Sequence, residues 1–185
     1  MVQLLLLTGQ RRDEVRAAPW REFDLSARMW KLPGERTKNG REHHVPLSDA
    51  AMAILSSLPK IKSKGPWLFT IDGRGVPVAN LSNRKRRLDA LMLEELRKID
   101  PEISQLQAWK IHHLRHTLKS WMQFARIPED VRNAVQNHTD GDMDQLYGHH
   151  SFEPEKRDAL DRWARHIAAL LDGPAANVVT FSGRR

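Results

Sequence analysis

Residues 29–48 read MWKLPGERTKNGREHHVPLS and predict β-structure in a chain whose other segments are mostly helical. The runs 29–32, 35–38 and 41–47 have extended character, and Asn39-Gly40 separates the last two. Both central residues of a type I′ turn have positive φ, so Asn-Gly between two extended runs is a strong hairpin signal. We therefore expect a hairpin over residues 35–47, with Lys38 at its tip.

The rest of the chain carries apolar residues at helical spacing. Residues 1–7 are typical of the end of a helix, and Ser48 is placed to cap a helix over residues 49–58. Further helices are predicted over residues 80–98, 111–126, 128–136, 143–148 and 153–171. The fold class is therefore α+β, mainly helical, with a small antiparallel sheet or hairpin on one edge.

The composition excludes several classes of protein. Of the 185 residues, 40% are hydrophobic and 29% are charged, which is typical of a globular domain. The net charge of +7 favours an anionic partner, most simply nucleic acid. The chain has no cysteine, which excludes disulfides, thiolate metal sites and cysteine nucleophiles. No apolar run is long enough to span a bilayer and no signal peptide is evident, so we expect a cytoplasmic protein.

Two motifs place an arginine near a second polar side chain, which can either orient the arginine or act on the same phosphate. In the first, Arg11 and Arg12 follow a helix-stopping glycine, and Glu14 is placed to orient one of them. In the second, His112 and Arg115 share a helical face, an arrangement that suits a phosphate. Surface arginines are common, so the first motif considered alone is better explained as solvated.

A zinc site is a further interpretation of the histidines. His112 and His116 have the spacing of a helical zinc motif. That motif has glutamate directly after the first histidine, where this chain has His113, and no third ligand is evident. We therefore expect no metal site.

None of the remaining candidate residues indicates a function when it is considered alone. A turn lysine such as Lys38 is usually solvated, and a histidine after a helix, such as His138, is usually structural. Tyr147 is the only tyrosine, which would normally be a core or interface residue. We expect the basic run at Arg84, Lys85, Arg86 and Arg87 to contact DNA phosphates, although a solvated helix face explains the run equally well when it is considered alone.

The order and spacing of these residues carry more information. Arg, Lys, His-x-x-Arg, His and Tyr follow one another, with 23 positions from Arg115 to His138 and nine from His138 to Tyr147. With the surrounding motifs at residues 8–14, 35–40, 112–117 and 137–147, this pattern resembles the tyrosine recombinase family, the integrases of temperate phages and genomic islands. The likeness extends to residues 20–24, 45–48 and 155–163 and so covers nearly the whole chain.

The resemblance implies a catalytic set and a reaction. The set is Arg11, Lys38, His112, Arg115, His138 and Tyr147. The tyrosine would attack a DNA phosphodiester, giving a 3′-phosphotyrosyl link and a free 5′-hydroxyl, while both arginines clamp the developing charge. Lys38 would be the general acid for the leaving oxygen, and His112 the acid/base partner of the tyrosine. The bond energy is kept, so no ATP, metal or other cofactor is expected.

The chain departs from the family pattern at two places near this set. Gln136-Asn137 stands where the family often has Leu-Gly, and His113 stands where a carboxylate is common. We expect this chain to lack the family's separate N-terminal DNA-binding domain and its first helix to be truncated. We expect a catalytic domain at residues 1–172 and a flexible tail at residues 173–185.

The resemblance also implies partners. They are double-stranded DNA and further copies of the protein, which form an oligomer on DNA and a tetrameric synapse in the full-length protein. No membrane is implied, and the expected location is cytoplasmic and nucleoid-associated.

Two other functions stay open. A helical DNA-binding module without catalysis would leave Tyr147 buried and dispensable. A type IB topoisomerase would use the same chemistry but relax supercoils without a partner site. The integrase-like flanking segments favour the recombinase.

Overall fold

The structure, a computed structural model, describes residues 1–58, 65–70, 75–138 and 151–173. Its helices are α1 (Val2–Thr8), α2 (Arg12–Arg16), α3 (Asp49–Ser57), α4 (Leu81–Ile99), α5 (His113–Phe124), α6 (Glu129–Val135) and α7 (Glu153–Leu171). Its strands are β1 (Phe23–Asp24), β2 (Met29–Leu32) and β3 (His43–Pro46). The mainly helical α+β fold class is confirmed. The helix predicted at residues 143–148 and the tail from residue 174 lie outside the described residues.

The three strands form one antiparallel sheet in the order β1-β2-β3. Trp30 pairs with Phe23 on one side and with Val45 on the other. The expectation of a strand at residues 35–38 was wrong, because a 3-10 turn covers Gly34–Arg36 and the loop 33–42 joins β2 to β3. Pro33 cannot donate to the β-ladder, so it ends β2 before the expected strand begins.

The loop 33–42 is folded tightly but is not a two-residue hairpin turn. Gly40 has a φ of 73°, whereas Asn39 is not among the residues with positive φ, so the type I′ turn expected at Asn39-Gly40 was wrong. The loop instead folds back on itself at Gly34, where a Cβ atom would lie 2.4 Å from the carbonyl oxygen of Gly40. Glycine at position 34 is therefore what lets the two ends of the loop approach each other.

Most helix ends agree with the sequence-based expectation. The Oγ of Ser48 accepts a hydrogen bond from the backbone N–H of Ala51 at 3.4 Å and caps α3. Pro128 is the N-cap of α6 rather than its first helical residue. The limits predicted for the last helix, residues 153–171, are those of α7.

The short helix α1 lies in the middle of the core and packs against α3, α5 and α7. Leu4 and Leu5 are buried, and the indole N–H of Trp163 on α7 donates to the carbonyl oxygen of Leu6 at 2.8 Å. This packing fixes the end of α1, from which the chain turns at Gly9 into Arg11. None of the described helices has the length and apolar character that crossing a membrane requires.

Candidate active site

Arg115 on α5 is a buried arginine that joins two distant segments of the chain. Its Nη1 donates to the carbonyl oxygen of Gly9 at 2.7 Å, and its Nη2 donates to the carbonyl oxygen of Gln136. The side-chain amide of Gln136 donates in turn to the carbonyl oxygen of Arg115 at 2.8 Å. A guanidinium has five N–H donors, so Arg115 retains donors for a ligand beyond these two hydrogen bonds.

The charge on Arg115 is maintained despite its burial. Burial, and next the positive charge of Arg11, lower the pKa of Arg115 to about 10, while Glu14 acts in the opposite direction. The guanidinium is therefore protonated at neutral pH. Two arginine charges that repel each other in this way form a site that favours an anion between them.

Gly9 makes the approach of Arg115 possible. It ends α1 in the left-handed conformation, with a φ of 63°. A Cβ atom at this position would lie 2.3 Å from a methyl carbon of Leu118, one turn beyond Arg115 on α5. Glycine thus meets both requirements, the positive φ and the close contact with α5.

Arg11 is held by Glu14, as the sequence suggested for one of the two arginines. The Nη1 of Arg11 lies 2.9 Å from Glu14 Oε1, and its backbone N–H donates to Glu14 Oε2 at 2.8 Å. Glu14 is buried, whereas Arg12 is exposed and pairs with Asp13. The Nη2 of Arg11 also donates to the carbonyl oxygen of Asn137 at 3.3 Å. Arg11 is therefore the oriented arginine of the pair.

Residues 136–138 form hydrogen bonds with several distant parts of the chain. Arg115 reaches Gln136, and Arg11 reaches Asn137. Asn39 in the loop 33–42 also bonds to Asn137 through its side-chain amide, at 2.8 Å. The next residue is His138, which is half-buried and whose backbone N–H donates to the carbonyl oxygen at position 133 at 3.0 Å. The arginines and the segment before His138 therefore form one hydrogen-bonded unit.

His112 lies immediately before α5 and is exposed. Its ring packs edge-on against the ring of His116, with centroids 4.7 Å apart. Desolvation and then electrostatic interactions with His116 and Arg115 lower the pKa of His112 below its usual value. The imidazole is therefore neutral at neutral pH and able to accept a proton.

Arg11, Lys38 and His112 line one open groove, which has a volume of about 750 Å³. Asp13 and Glu14 are the two carboxylates in its wall, against seven cationic side chains: Arg11, Arg12, Arg16, Arg36, Lys38, Lys85 and Lys110. Lys38 is exposed and, among the described residues, has no carboxylate partner. Such an excess of positive charge in a concave surface attracts a polyanion.

The basic run on α4 divides into two parts. Lys85 enters the groove, where its ammonium lies 2.7 Å from Asp89 and 4.3 Å from the centre of the Trp109 ring. The indole N–H of Trp109 donates to the other oxygen of Asp89 at 2.8 Å. Arg84, Arg86 and Arg87 are exposed and are not among the residues that line the groove. They present their charge to solvent along the helix.

Two buried side chains attach β3 to the neighbouring helices. The Nε2 of His43 lies 3.2 Å from the carbonyl oxygen of Val135, at the end of α6. Lys156 on α7 donates from Nζ to the carbonyl oxygen of His44 at 2.8 Å. Burial and then the charge of Lys156 lower the pKa of His43 to about 3, so its imidazole is neutral. β3 thereby links α6 and α7, the helices on either side of residues 139–150.

Residues 1–154 match the model of the phage integrase family. The chain belongs to this family. The match takes in the loop with Lys38, both arginine motifs and the segment that ends at His138. The recognition made from motif order is thereby confirmed.

Several integrases of phages and prophages are similar to the chain. Prophage integrase IntA of Escherichia coli (strain K12) is 26% identical over 174 residues, which are 91% of this chain and 38% of that protein. The integrase of Salmonella phage P22 is 26% identical, over 80% of this chain and 38% of its own length. The integrase of Enterobacteria phage P4 is 37% identical over a shorter part, 38% of this chain. The chain thus spans about four-tenths of the first two integrases.

Solved structures show the same fold. The Tn1549 transposon integrase in complex with a circular intermediate DNA superposes with a TM-score of 0.60 at 16% identity, covering 87% of this chain and 57% of that one. The XerA recombinase superposes with a TM-score of 0.51 at 19% identity, covering 94% of this chain and 57% of that one. The integrase fold is therefore present in the described part of the chain.

The structure brings together most of the residues that the family resemblance singled out. Arg11, Lys38 and His112 line the groove; Arg115 is hydrogen-bonded to Gly9, two residues before Arg11, and Arg11 is hydrogen-bonded to Asn137, the residue before His138. Tyr147 lies outside the described residues. In the part of the chain that the structure describes, no cluster of three histidine, aspartate or glutamate residues is arranged to hold a metal ion.

Sequence reasoning missed the residues that connect this set. Gln136 and Asn137 were noted only as departures from the family pattern, and Asn39 only as a turn residue. Their amides supply the hydrogen bonds between segments that lie 21 and 98 positions apart. The sequence shows an amide-bearing pair where the family often has Leu-Gly, but it does not show which segments these amides join.

Proposed function

We propose that this chain is the catalytic domain of a site-specific DNA recombinase that cleaves and rejoins DNA through Tyr147. Family membership supports the class of reaction. The observation that carries the proposal is the convergence of Arg11, Lys38 and His112 in one cationic groove, with Arg115 and the segment before His138 hydrogen-bonded to residues 9–11. These are the residue types that phosphoryl transfer to a phenol requires.

The reaction needs charge stabilisation at phosphorus. The phenol oxygen of Tyr147 attacks the phosphodiester, the new O–P bond forms, and the bond from phosphorus to the 5′-oxygen breaks. Negative charge grows on the two non-bridging oxygens as this happens. Arg11 and Arg115 present preorganised donors to those oxygens, held in place by Glu14 and by two backbone carbonyl groups. His138 supplies a further hydrogen bond.

Two proton transfers complete the step. His112 takes the proton of the Tyr147 hydroxyl, and its lowered pKa keeps the accepting nitrogen unprotonated at neutral pH. Lys38 gives a proton to the departing 5′-oxygen, and its exposed side chain at the groove allows it to reach that atom. Rejoining is the reverse, with the 5′-hydroxyl of another strand attacking the 3′-phosphotyrosyl link.

We further propose that the working form is an oligomer on DNA. Exchange between two duplexes cuts four strands, and each cut uses one Tyr147, so four copies form the complete synapse. A topoisomerase would need one copy. The two are separated by supplying two differently labelled duplexes together with a supercoiled plasmid. Joined strands from both duplexes support the recombinase, whereas relaxation of the plasmid with no joined strands supports the topoisomerase.

Covalent capture tests the proposal directly. The probe is a pool of nicked duplexes with randomised sequence, in which cleavage releases the short fragment that carries the new 5′-hydroxyl and leaves the protein trapped on the 3′-phosphate. Sequencing the trapped strands also identifies the preferred site. Adducts with the unmodified protein support the proposal, and their absence across the whole pool contradicts it.

A further inference from the structure

A reciprocal amide pair joins the loop 33–42 to the segment before His138. The Nδ2 of Asn39 donates to Asn137 Oδ1 at 2.8 Å, and the Nδ2 of Asn137 donates to Asn39 Oδ1 at 3.2 Å. The Nδ2 of Asn39 also lies 3.4 Å from the carbonyl oxygen of Asn137. Both residues are half-buried. The Asn39–Asn137 pair is therefore a two-bond contact between segments that are 98 positions apart in the sequence.

Asn39 has only a small part in the turn in which it lies. The positive φ in that turn belongs to Gly40, and Thr37 closes the loop by donating from Oγ1 to the carbonyl oxygen of Arg41 at 2.9 Å. One local bond involves Asn39, whose Oδ1 accepts from the backbone N–H of Arg41 at 3.3 Å. Its Nδ2 instead donates across to Asn137. The shorter bond of the Asn39 amide is thus the long-range one.

Asn137 meets two requirements at once. Its φ is 48°, a conformation that glycine and asparagine adopt more readily than other residues. Its carbonyl oxygen accepts from Arg11, and its side chain reaches Asn39. A glycine could adopt the same backbone conformation but could not make the side-chain bonds.

The Asn39–Asn137 pair is relevant to the position of Lys38, which directly precedes Asn39 in the sequence. Lys38 is exposed and, in the described part of the chain, no carboxylate holds its ammonium. A general acid must come within hydrogen-bond distance of the atom it protonates, and a misplacement of about 1 Å can cost about 100-fold in rate. The side chain of Asn39 bonds this loop directly to Asn137, the residue before His138.

We infer that the Asn39–Asn137 pair positions Lys38 for protonation of the leaving 5′-oxygen and sets it at a fixed distance from Arg11 and His138. The inference rests on the proposed function. Asn39 and Asn137 act through Lys38 and are positioning residues. They do not touch the reacting atoms.

The test uses a leaving group that needs no proton. A nicked duplex with sulfur in place of the bridging 5′-oxygen releases a thiolate, which is a far weaker base than an alkoxide. Single-turnover cleavage of this duplex and of ordinary DNA of the same sequence is compared for Asn39→Ala, Asn137→Gly, Lys38→Ala and Arg115→Ala. Gln123→Ala, an exposed amide residue on α5, is the matched control. Thermal unfolding of each variant is recorded alongside.

The expected result is a selective rescue. Asn39→Ala and Asn137→Gly slow cleavage of ordinary DNA by about 10–100-fold and cleave the sulfur-containing duplex at close to the unmodified rate, as Lys38→Ala does. Arg115→Ala remains slow on both duplexes, and Gln123→Ala is slow on neither. Adding Asn39→Ala to Lys38→Ala causes no further loss on ordinary DNA.

Equal defects on the two duplexes in Asn39→Ala and Asn137→Gly would overturn the inference, because a general structural role would then explain them. Full additivity with Lys38→Ala would overturn it as well. If the unmodified protein forms no adduct with either duplex, the proposed function fails. If it forms adducts and only the rescue is missing, the positioning role alone fails.

Discussion

The guanidinium of Arg115 donates to the carbonyl oxygen of Gly9 at 2.7 Å, across 106 positions of sequence. This one bond sets α5 against the turn that leads into Arg11. Because Arg115 is also a proposed catalytic residue, we expect a change at this position to affect both stability and activity.

Replacing Arg115 separates these two contributions. In Arg115→Ala the carbonyl groups of Gly9 and Gln136 lose their donors, and we expect the protein to lose about 1–3 kcal/mol of unfolding free energy. Strand cleavage by the folded variant should also slow, since removing one preorganised donor costs on the order of 3–4 kcal/mol of activation free energy. Urea unfolding and single-turnover cleavage measure the two effects. If folded Arg115→Ala cleaved DNA at the rate of the unmodified protein, the proposed catalytic role of Arg115 would be wrong.

Glu14 is expected to matter through Arg11. Glu14→Gln keeps the shape of the side chain but removes the charge that orients Arg11 at 2.9 Å. Because Glu14 is buried, we expect destabilisation of about 2–3 kcal/mol and a slower cleavage step. Asp13→Asn is the control, since Asp13 is exposed and its pairs with Arg12 and Arg16 are worth less than about 1 kcal/mol. Equal effects of the two substitutions would argue against an orienting role for Glu14.

The acid/base role of His112 predicts a pH profile. Its pKa lies below the usual value of about 6.5, and in the proposed mechanism the neutral form accepts the proton of Tyr147. The cleavage rate should therefore rise with pH and reach its plateau near neutrality, with the midpoint of the rise below about 6.5. His112→Gln should lose this rise, and His113→Gln should keep it. If the rate still rose with pH in His112→Gln, the pKa that controls cleavage would belong to another group.

His43 predicts how stability depends on pH. In the folded chain its pKa is about 3, lowered by burial and by Lys156, whereas in the unfolded chain it is about 6.5. Between these values the unfolded state binds the extra proton, so stability is fully present above about 6.5 and is lost as the pH falls. We expect a loss of up to about 1.4 kcal/mol per pH unit in mildly acidic buffer.

Urea unfolding of the unmodified protein, His43→Gln and His113→Gln over this range measures the effect. The slope should be smaller in His43→Gln and unchanged in His113→Gln. Arg115 and Arg11 also disfavour the charged imidazole, and the Val135 carbonyl group favours it. The same slope in His43→Gln as in the unmodified protein would contradict the account of His43.

The exposed basic residues of α4 predict a salt effect on DNA binding. If Arg84, Arg86 and Arg87 neutralise phosphates, replacing all three with alanine lowers the affinity at low salt. The slope of log K against log salt should then fall by about 0.9 for each phosphate that is no longer neutralised. Lys98→Ala is the control, an exposed lysine on the same helix that pairs with Glu95 at 2.6 Å. An unchanged slope in the triple variant would mean that this run is only a solvated helix face.

Local patterns predicted much of the fold. Apolar spacing located the helices, and the Ser48 cap and the limits of α7 were confirmed. The loop 33–42 was predicted wrongly because Asn-Gly signals a turn only through backbone conformation. Here Pro33 ends the strand early, and the close approach of Gly34 to Gly40 determines the path. A contact of that kind depends on the folded loop and leaves no local pattern.

The candidate site, like the fold, could be predicted only in part from the sequence. Motif order singled out Arg11, Lys38 and His112, which line one groove, because the family resemblance extends over segments far apart in the chain. The connecting bonds of Gln136, Asn137 and Asn39 could not be read from spacing, since an amide can serve a turn, a cap or a long-range pair equally well. Their role depends on which distant segment packs beside them.

The nucleophile is the centre of the functional account. Tyr147→Phe removes one oxygen atom and leaves the ring in place, so unfolding free energy should change by no more than about 1 kcal/mol. The decisive measurement is covalent capture on the pool of nicked duplexes, comparing the unmodified protein with Tyr147→Phe. The account predicts a protein–DNA adduct with the former and none with the latter, at equal DNA affinity. An adduct formed by Tyr147→Phe would contradict it and would require a different nucleophile.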